Sequence, residues 1–438
     1  MLCFYKVTYF FALETYSRII LICIFEELIL KKSVLNYFSK ANKSGFSTEK
    51  DNFTKKMKKV YFDSAATTEL RSEVIRCITE VLKVEYGNPS STHSYGRSAK
   101  SLLENARKQV AGYLNVSAAE IIFTSGGTEA DNLILNSCVR DLGVTRIISS
   151  KIEHHAVLHT LTELESNNGV QVDYVKLDEC GHVDFDHLES LLKEDDKKTL
   201  VSLMHVNNEI GNILDIERTA KLCKEYNTLF HSDTVQSVGH YELDFSEIPI
   251  DFAAVAAHKF HGPKGAGFAF IRKNSGLKPL IFGGEQERGM RAGTESVFAI
   301  AGMAEALKIS YENLEKERNY IVELKNYFKE KLTSEIPGIK FNGACDDDAN
   351  STYTLLNVCL PISPEKAMML LFQLDLNGIA CSKGSACQSG SGKGSHVLNE
   401  ILSEDDMKKP SIRFSFSSFN KKDEVDYVVD VLKEFIEK

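Results

Sequence analysis

A chain of 438 residues, 43% hydrophobic and 26% charged, has the composition of a globular protein and the length to bury a large core, in about two or three domains. Its formal charge of −9, with no basic stripe, excludes a protein that grips nucleic acid, since such proteins cluster Lys and Arg to release counterions. Ten cysteines lie far apart and never as C-x-x-C, which excludes a zinc ribbon or a disulfide framework and points to reduced thiols in a cytoplasmic protein.

In chain order, VTYFFALETYSRIILICIFEELIL (7–30) is apolar and aromatic, but Glu14, Arg18, Glu26 and Glu27 interrupt the run of ~18 residues that a bilayer span requires. It also lacks the order of a signal peptide, so no membrane association is expected. A polar, basic stretch (31–56) follows, and Met57 then stands directly before KKVYFDSAATT, where strand-like sequence begins. Residues 1–56 therefore read as an extension outside the folded core. Beyond them, short β-rich runs alternate with helical patterns. The strand candidates are KVYF (59–62), EIIFTS (120–125), RIISS (146–150), VDYVKL (172–177), TLVSLMHV (199–206), TLFHSD (228–233), DFAAVAA (251–257) and GFAFIR (267–272). Such alternation predicts an α/β fold with a mainly parallel sheet covered by helices on both faces. One long helical stretch (299–332) bridges to a smaller C-terminal α/β domain containing STYTLLNVCL and PSIRFSFS.

Ligands of such sheets sit beyond the carboxyl ends of the strands. FTSGGTEADNLIL (123–135) is a strand, a Gly-Gly turn and a helix opening at Thr128. Backbone N–H groups at a helix N-terminus, approached closely across Gly126 and Gly127, make a phosphate site, although a Gly-Gly turn alone is as often only a tight turn. TLFHSDTVQSVGH ends a strand on Asp233, with Gln236 following. AAHKFHGPKGAG sets His258 beside Lys259, ahead of a Gly-Pro-Lys-Gly turn. A carboxylate and a lysine on neighbouring strand ends would ordinarily make a salt bridge. With a phosphate cradle upstream, the set suits pyridoxal 5'-phosphate, whose phosphate needs the helix end, whose aldehyde needs a lysine and whose ring nitrogen needs an acid.

The segments YFDSAATT, GNPSSTHSYGR, FTSGGTEADN, SSKIEHHAVL, MHVNNEIG, HSDTVQSVG, AHKFHGPKG, GGEQERGMRAGT, CSKGSACQSG and SIRFSF, in this order, resemble the cysteine desulfurases of the class-V aminotransferase family, from about residue 59 onward. The resemblance implies a fold type I pyridoxal-phosphate enzyme with a large domain over 71–314, a small C-terminal domain over 315–438, and 57–70 packing with the latter. It implies that Lys259 holds the cofactor and shuttles the substrate Cα proton, that Asp233 pairs with the ring nitrogen and Gln236 with the ring hydroxyl, and that His154 stacks on the ring and exchanges protons. Gly127, Thr128 and His258 are implied phosphate ligands. Thr294, in RAGT, is implied to reach the phosphate of a partner subunit, hence a homodimer. Asn208 and Arg413 are implied to bind the carboxylate of L-cysteine, for which arginine's planar fork is suited. Apolar Ile412 and Phe414 flank Arg413, so strand alternation turns it to the other face. The pair His155 and His159 lacks the Glu of H-E-x-x-H and reads as chance.

Without a thiol, this constellation equally fits an aminotransferase or another lyase of the fold, selenocysteine lyase among them. A silent sulfur-assembly scaffold is the alternative from a different class. Cys387, in ACSKGSACQSGSGKGSHVL (380–398), matches the family nucleophile, which takes the substrate sulfur as a persulfide and leaves alanine. Its long Gly/Ser-rich loop resembles the subgroup serving iron–sulfur assembly, which implies an iron–sulfur scaffold or other sulfur acceptor as partner. Transient coordination of a nascent cluster by Cys387 is the one metal role left open. Cys381, ending an apolar run, reads as buried filler. Two positions depart from the family pattern: Ala256 replaces a Ser that commonly adds a phosphate ligand, costing about 1 kcal/mol of cofactor affinity, and Ser64 replaces an Asn.

Overall fold

The computed structural model describes residues 58–194, 197–383 and 394–437. The apolar runs become strands β1 (Val60–Tyr61), β2 (Ile121–Thr124), β3 (Arg146–Ser149), β4 (Gln171–Tyr174), β5 (Thr199–Ser202), β6 (Leu229–Asp233), β7 (Phe252–Ala256) and β8 (Gly267–Ile271). Seven of them form one sheet in the order β2-β8-β7-β6-β5-β3-β4. Every pairing among β7, β6, β5, β3 and β4 is parallel, and only β8 runs against its neighbours β2 and β7.

Alternation along these strands builds a core on each face. Phe123, Ile148, Val201, Ala253, Val255, Phe268 and Phe270 enter one cluster, while Ile122, Ile147, Leu200, Phe252, Ala254, Ala269 and Ile271 enter the other. The first is covered by helices Ser94–Tyr113 and Val297–Glu312 through Leu103, Val110, Ile300 and Met303. The second is covered by helices Gly127–Leu142 and His155–Asn168 through Leu133, Ile134, Val157 and Leu161. Burial on both faces explains why strands such as IIFT and FAAVA show no polar alternation.

Four more strands follow, β9 (Lys340–Phe341), β10 (Leu355–Cys359), β11 (Ile379–Ala380) and β12 (Ser411–Ser415), of which β9, β10 and β12 form a second sheet. β10 lies antiparallel between β9 and β12, while β11 pairs separately and in parallel with β1. Phe62, next to β1, packs into the core of this sheet, 5.4 Å edge-on from Phe416 and 5.7 Å from Phe328. That anchor delivers residues 63–66 to the large sheet.

Two sequence expectations need correction. The run TLVSLMHV forms a strand only to Ser202: Leu203 and His205 still donate to the carbonyls of His231 and Asp233, but the chain then turns through Asn207, whose side chain accepts the Glu209 and Ile210 amides. The long helix is two helices, Val297–Glu312 and Leu314–Glu335. Asn313 separates them, its side chain donating back to Ile309 O at 2.9 Å, the local competition with the backbone that makes asparagine a helix breaker.

Candidate active site

The carboxyl ends of β2, β3, β5, β6 and β7 open on one cavity of about 240 Å³. β2 leads to Gly127 and Thr128, β3 to His154, β5 to Asn208, β6 to Asp233 and Gln236, and β7 to His258 and Lys259; all of these line the cavity. The second sheet contributes Arg413 from β12, and the segment after β1 contributes Ala65 and Ala66. Nine of the predicted residues are thus brought together by five strand ends and the mid-point of β12, because those five strands run in one direction; residues from 65 to 413 converge on one space.

Local chemistry fixes each group. Gly126 has φ 150°, open to glycine, and turns β2 into the helix that begins at Gly127. A Cβ on Gly127 would lie 2.6 Å from Val235 Cγ2, so the bare Cα is what lets the helix end approach the loop after β6. Lys259 ends a tight turn, Ala257–Lys259, and its Nζ donates to Ala65 O at 2.6 Å and Ala66 O at 2.9 Å. Gln236 Nε2 also donates to Ala65 O, at 2.9 Å. Asp233 is buried, and its Oδ1 accepts the Val235 amide at 2.9 Å.

Burial dominates the electrostatics. It pushes the Asp233 carboxyl up to about 6, against the pull of the Val235 hydrogen bond and the Lys259 charge. It lowers His154 to about 4, with the Lys259 charge acting in the same direction. His154 caps helix His155–Asn168, its Nδ1 accepting the Ala156 amide at 3.1 Å, so the proton of the neutral ring is on Nε2. His258 is held near 4 by burial and then by Lys259, and its Nδ1 is buried without a hydrogen-bond partner. On β12, Ile412 and Phe414 enter the C-terminal core while Arg413 turns to the cavity, as their alternation predicts.

Sequence reasoning missed Asp131. It lies one helical turn beyond Gly127, lines the cavity and is almost fully buried. Desolvation, followed by the charges of Asp233 and Glu153, raises its carboxyl well above the usual range. Its Oδ1 is 3.4 Å from His231 Nε2, whose imidazole burial lowers to about 3. Burial thus pushes both partners toward their uncharged forms, and the contact has less ion-pair character than the residue types suggest. The i, i+4 spacing from Gly127 was the available signal.

Cys387 lies outside the described residues. Thr294 is exposed and takes no part in lining the cavity of its own chain. Burial pushes the Cys381 thiol up to about 12, which leaves it a packing group. Among the described residues no cluster could hold a metal ion, and no helix is long and apolar enough to cross a membrane.

Pyridoxal 5'-phosphate fits these residues. The phosphate finds a helix N-terminus without a Cβ at its first residue and the unpartnered His258 Nδ1. A protonated ring nitrogen would add a counter-charge beside the buried Asp233, whose carboxyl burial raises despite the Lys259 charge.

The chain matches the family model for aminotransferase class-V over residues 60–428. It is 40% identical over 383 residues to "Cysteine desulfurase IscS" of Dictyoglomus turgidum, covering 87% of this chain and 95% of that protein. A solved "NifS-like protein" superposes with a TM-score of 0.79 at 35% identity, covering 87% of this chain and 100% of that one. A structure titled "SspA in complex with cysteine" gives a TM-score of 0.71 at 29% identity, covering 82% and 99%. With its cavity built for pyridoxal 5'-phosphate at the ends of a mainly parallel sheet, the chain belongs to the aminotransferase class-V family.

Proposed function

We propose that the protein is a cysteine desulfurase, converting L-cysteine and the Cys387 thiol to L-alanine and a Cys387 persulfide. The observation that carries this reading is the convergence of Lys259, Asp233 and His154 with Arg413 on one cavity, in a chain whose full-length relatives are named for that reaction. When bound, pyridoxal 5'-phosphate supplies an electron sink for the substrate carbanion. The protein's own groups do the rest. Lys259, oriented by the carbonyls of Ala65 and Ala66, holds the cofactor and moves the Cα proton; Asp233 keeps the ring nitrogen protonated; Gln236 meets the ring hydroxyl. His154 stacks on the ring and offers its Nε2 proton to the substrate, while Gly127, Thr128 and His258 hold the phosphate. Arg413 and Asn208 fix the substrate carboxylate. The Cys387 thiolate attacks the substrate sulfur, the C–S bond breaks, and the substrate carbon takes a proton, so that atoms balance.

Further elements of the reading are a homodimer in which Thr294 reaches the partner's phosphate, a cytoplasmic location, and delivery of the persulfide to an iron–sulfur scaffold or another acceptor. Residues 71–314 form the cofactor-binding domain and 315–438 the small one that carries Cys387, with 57–70 on its side; the helix break at Asn313 supports that boundary. The test is incubation with L-cysteine and a reductant. Wild type releases alanine and sulfide, and Cys387→Ser releases neither while keeping the cofactor absorbance. A Ser variant producing alanine at the wild-type rate sinks the assignment of Cys387.

A further inference from the structure

Arg413 is 1% exposed, and its donors are only partly committed. Nη1 donates to Asn208 O at 2.7 Å and Nη2 to Asp63 Oδ1 at 2.9 Å, whereas Nε is buried with no partner. Nε and the second hydrogen of Nη2 share one edge of the guanidinium, and such an edge grips a carboxylate through two parallel hydrogen bonds. Asn208 and Asp63 therefore take one bond each from Nη1 and Nη2, and donor capacity on the guanidinium remains uncommitted. Asp63 Oδ1 also accepts Ser382 Oγ at 2.8 Å, and Ser382 in turn exchanges backbone hydrogen bonds with Arg413, at 3.2 and 2.7 Å. Three chain segments, remote in sequence, meet on one carboxylate oxygen.

We propose that Asp63 is the positioning residue for recognition of the substrate carboxylate: it clamps Arg413, through Nη2, where that side chain lines the cavity. This rests on the reading of Arg413 as the carboxylate ligand and adds the group that aims it. A charge as buried as that of Arg413 needs a partner in the unliganded protein, and Asp63 is that partner. A fork already held in place loses less rotational freedom when the ligand arrives. The clamp carries a cost that gives its test a sign. Asp63 and the substrate carboxylate share one positive charge, so the geometry favours binding while the Asp63 charge opposes it. An asparagine keeps an acceptor oxygen and removes the opposing charge; an alanine removes both.

The test measures ligand affinity from the cofactor absorbance of the loaded full-length enzyme, in a Cys387→Ser background that prevents turnover. L-Cysteine is compared with cysteamine, which has the same thiol and amine and no carboxylate. Asp63→Ala is expected to weaken L-cysteine about tenfold, the loss of one charge-assisted contact, and to change cysteamine by less than about twofold. Asp63→Asn is expected to restore L-cysteine to within about threefold of the parent. Equal weakening of both ligands by Asp63→Ala marks a purely structural role and overturns the proposal, as does an Asn variant no better than the Ala one. Arg413→Ala separates the two levels. If it loses the preference for L-cysteine and Asp63→Ala does not, the clamp alone is wrong; if it keeps the preference, the reading of Arg413 fails and the clamp with it.

Discussion

His154 is held in one protonation state by three separate causes: burial, the Lys259 charge, and the Ala156 amide that occupies Nδ1. Its imidazole is therefore expected to remain neutral down to about pH 4 in the cofactor-free protein, which nitrogen-15 NMR of the ring reads directly. An inflection near the ordinary histidine value of about 6.5 would show that the ring is more hydrated than its surroundings imply. Gly127 is the other residue whose replacement has a clear sign. The 2.6 Å approach to Val235 Cγ2 leaves a methyl group no room, so Gly127→Ala must displace the helix end, the loop after Asp233 or the Val235 side chain. At about 1–3 kcal/mol for overpacking, cofactor affinity is expected to fall about tenfold or more, measured by cofactor fluorescence on dilution.

At the level of elements, the β7 end offers a test by addition rather than removal. Ala256 is buried and lines the cavity beside His258, where a serine hydroxyl would supply one more hydrogen bond to the phosphate. Ala256→Ser is expected to tighten cofactor binding about fivefold, one neutral hydrogen bond of about 1 kcal/mol, in the same dilution assay. Strands were legible in the sequence because burial on both sheet faces wrote them as unbroken apolar runs: RIISS, DFAAVAA and GFAFIR lie within a residue of β3, β7 and β8 at each end. The same rule failed at TLVSLMHV, where the run stays apolar after the strand has ended because Leu203 and Met204 are buried in the loop that approaches the cavity. Residues whose function depends on a ligand were visible through their neighbours: glycines before a helix, or a lysine before a tight turn. Asp131 and Asp63 were not, because their significance lies in what burial and tertiary contacts place opposite them, His231 and Arg413 respectively.

For the whole molecule, buried titratable groups set how stability depends on pH. His154, His205, His258 and His261 are each lowered to about 4 and His231 to about 3, chiefly by desolvation. The unfolded chain binds protons at these rings from about pH 6.5 downward while the folded chain does not, so their contribution is lost as pH falls. Asp233 and Glu153, raised by burial to about 6 and about 8, act in the opposite sense: the folded chain holds their protons, and that contribution is lost as pH rises through those values. The imidazoles outnumber the carboxyls, so the melting temperature of the cofactor-free protein is expected to peak near neutrality and fall steadily toward pH 5. A flat profile over that range in a thermal scan would contradict the buried, neutral state of these rings. A chain begun at Met57 is expected to load cofactor and turn over L-cysteine like the full chain, since the described residues that line the cavity lie between 65 and 413.

The segment after β1 has a consequence for how the protein is made. Ala65 offers its carbonyl to Lys259, while its own amide donates to Ser415 Oγ at 2.9 Å, 350 residues further along; Phe62 packs on Phe414 and Phe416. A chain still on the ribosome has already released Ala65 and Lys259 from the exit tunnel when β12 has not yet been translated. The large sheet can form in that interval, and Gln236 and the bonds between Thr68 and His258 can tie the segment to it, but its anchor on Ser415, Phe414 and Phe416 is missing until the last strand arrives. A truncated product ending before β12 keeps the segment but lacks its Ser415 and Phe416 anchor, and lacks Arg413 altogether.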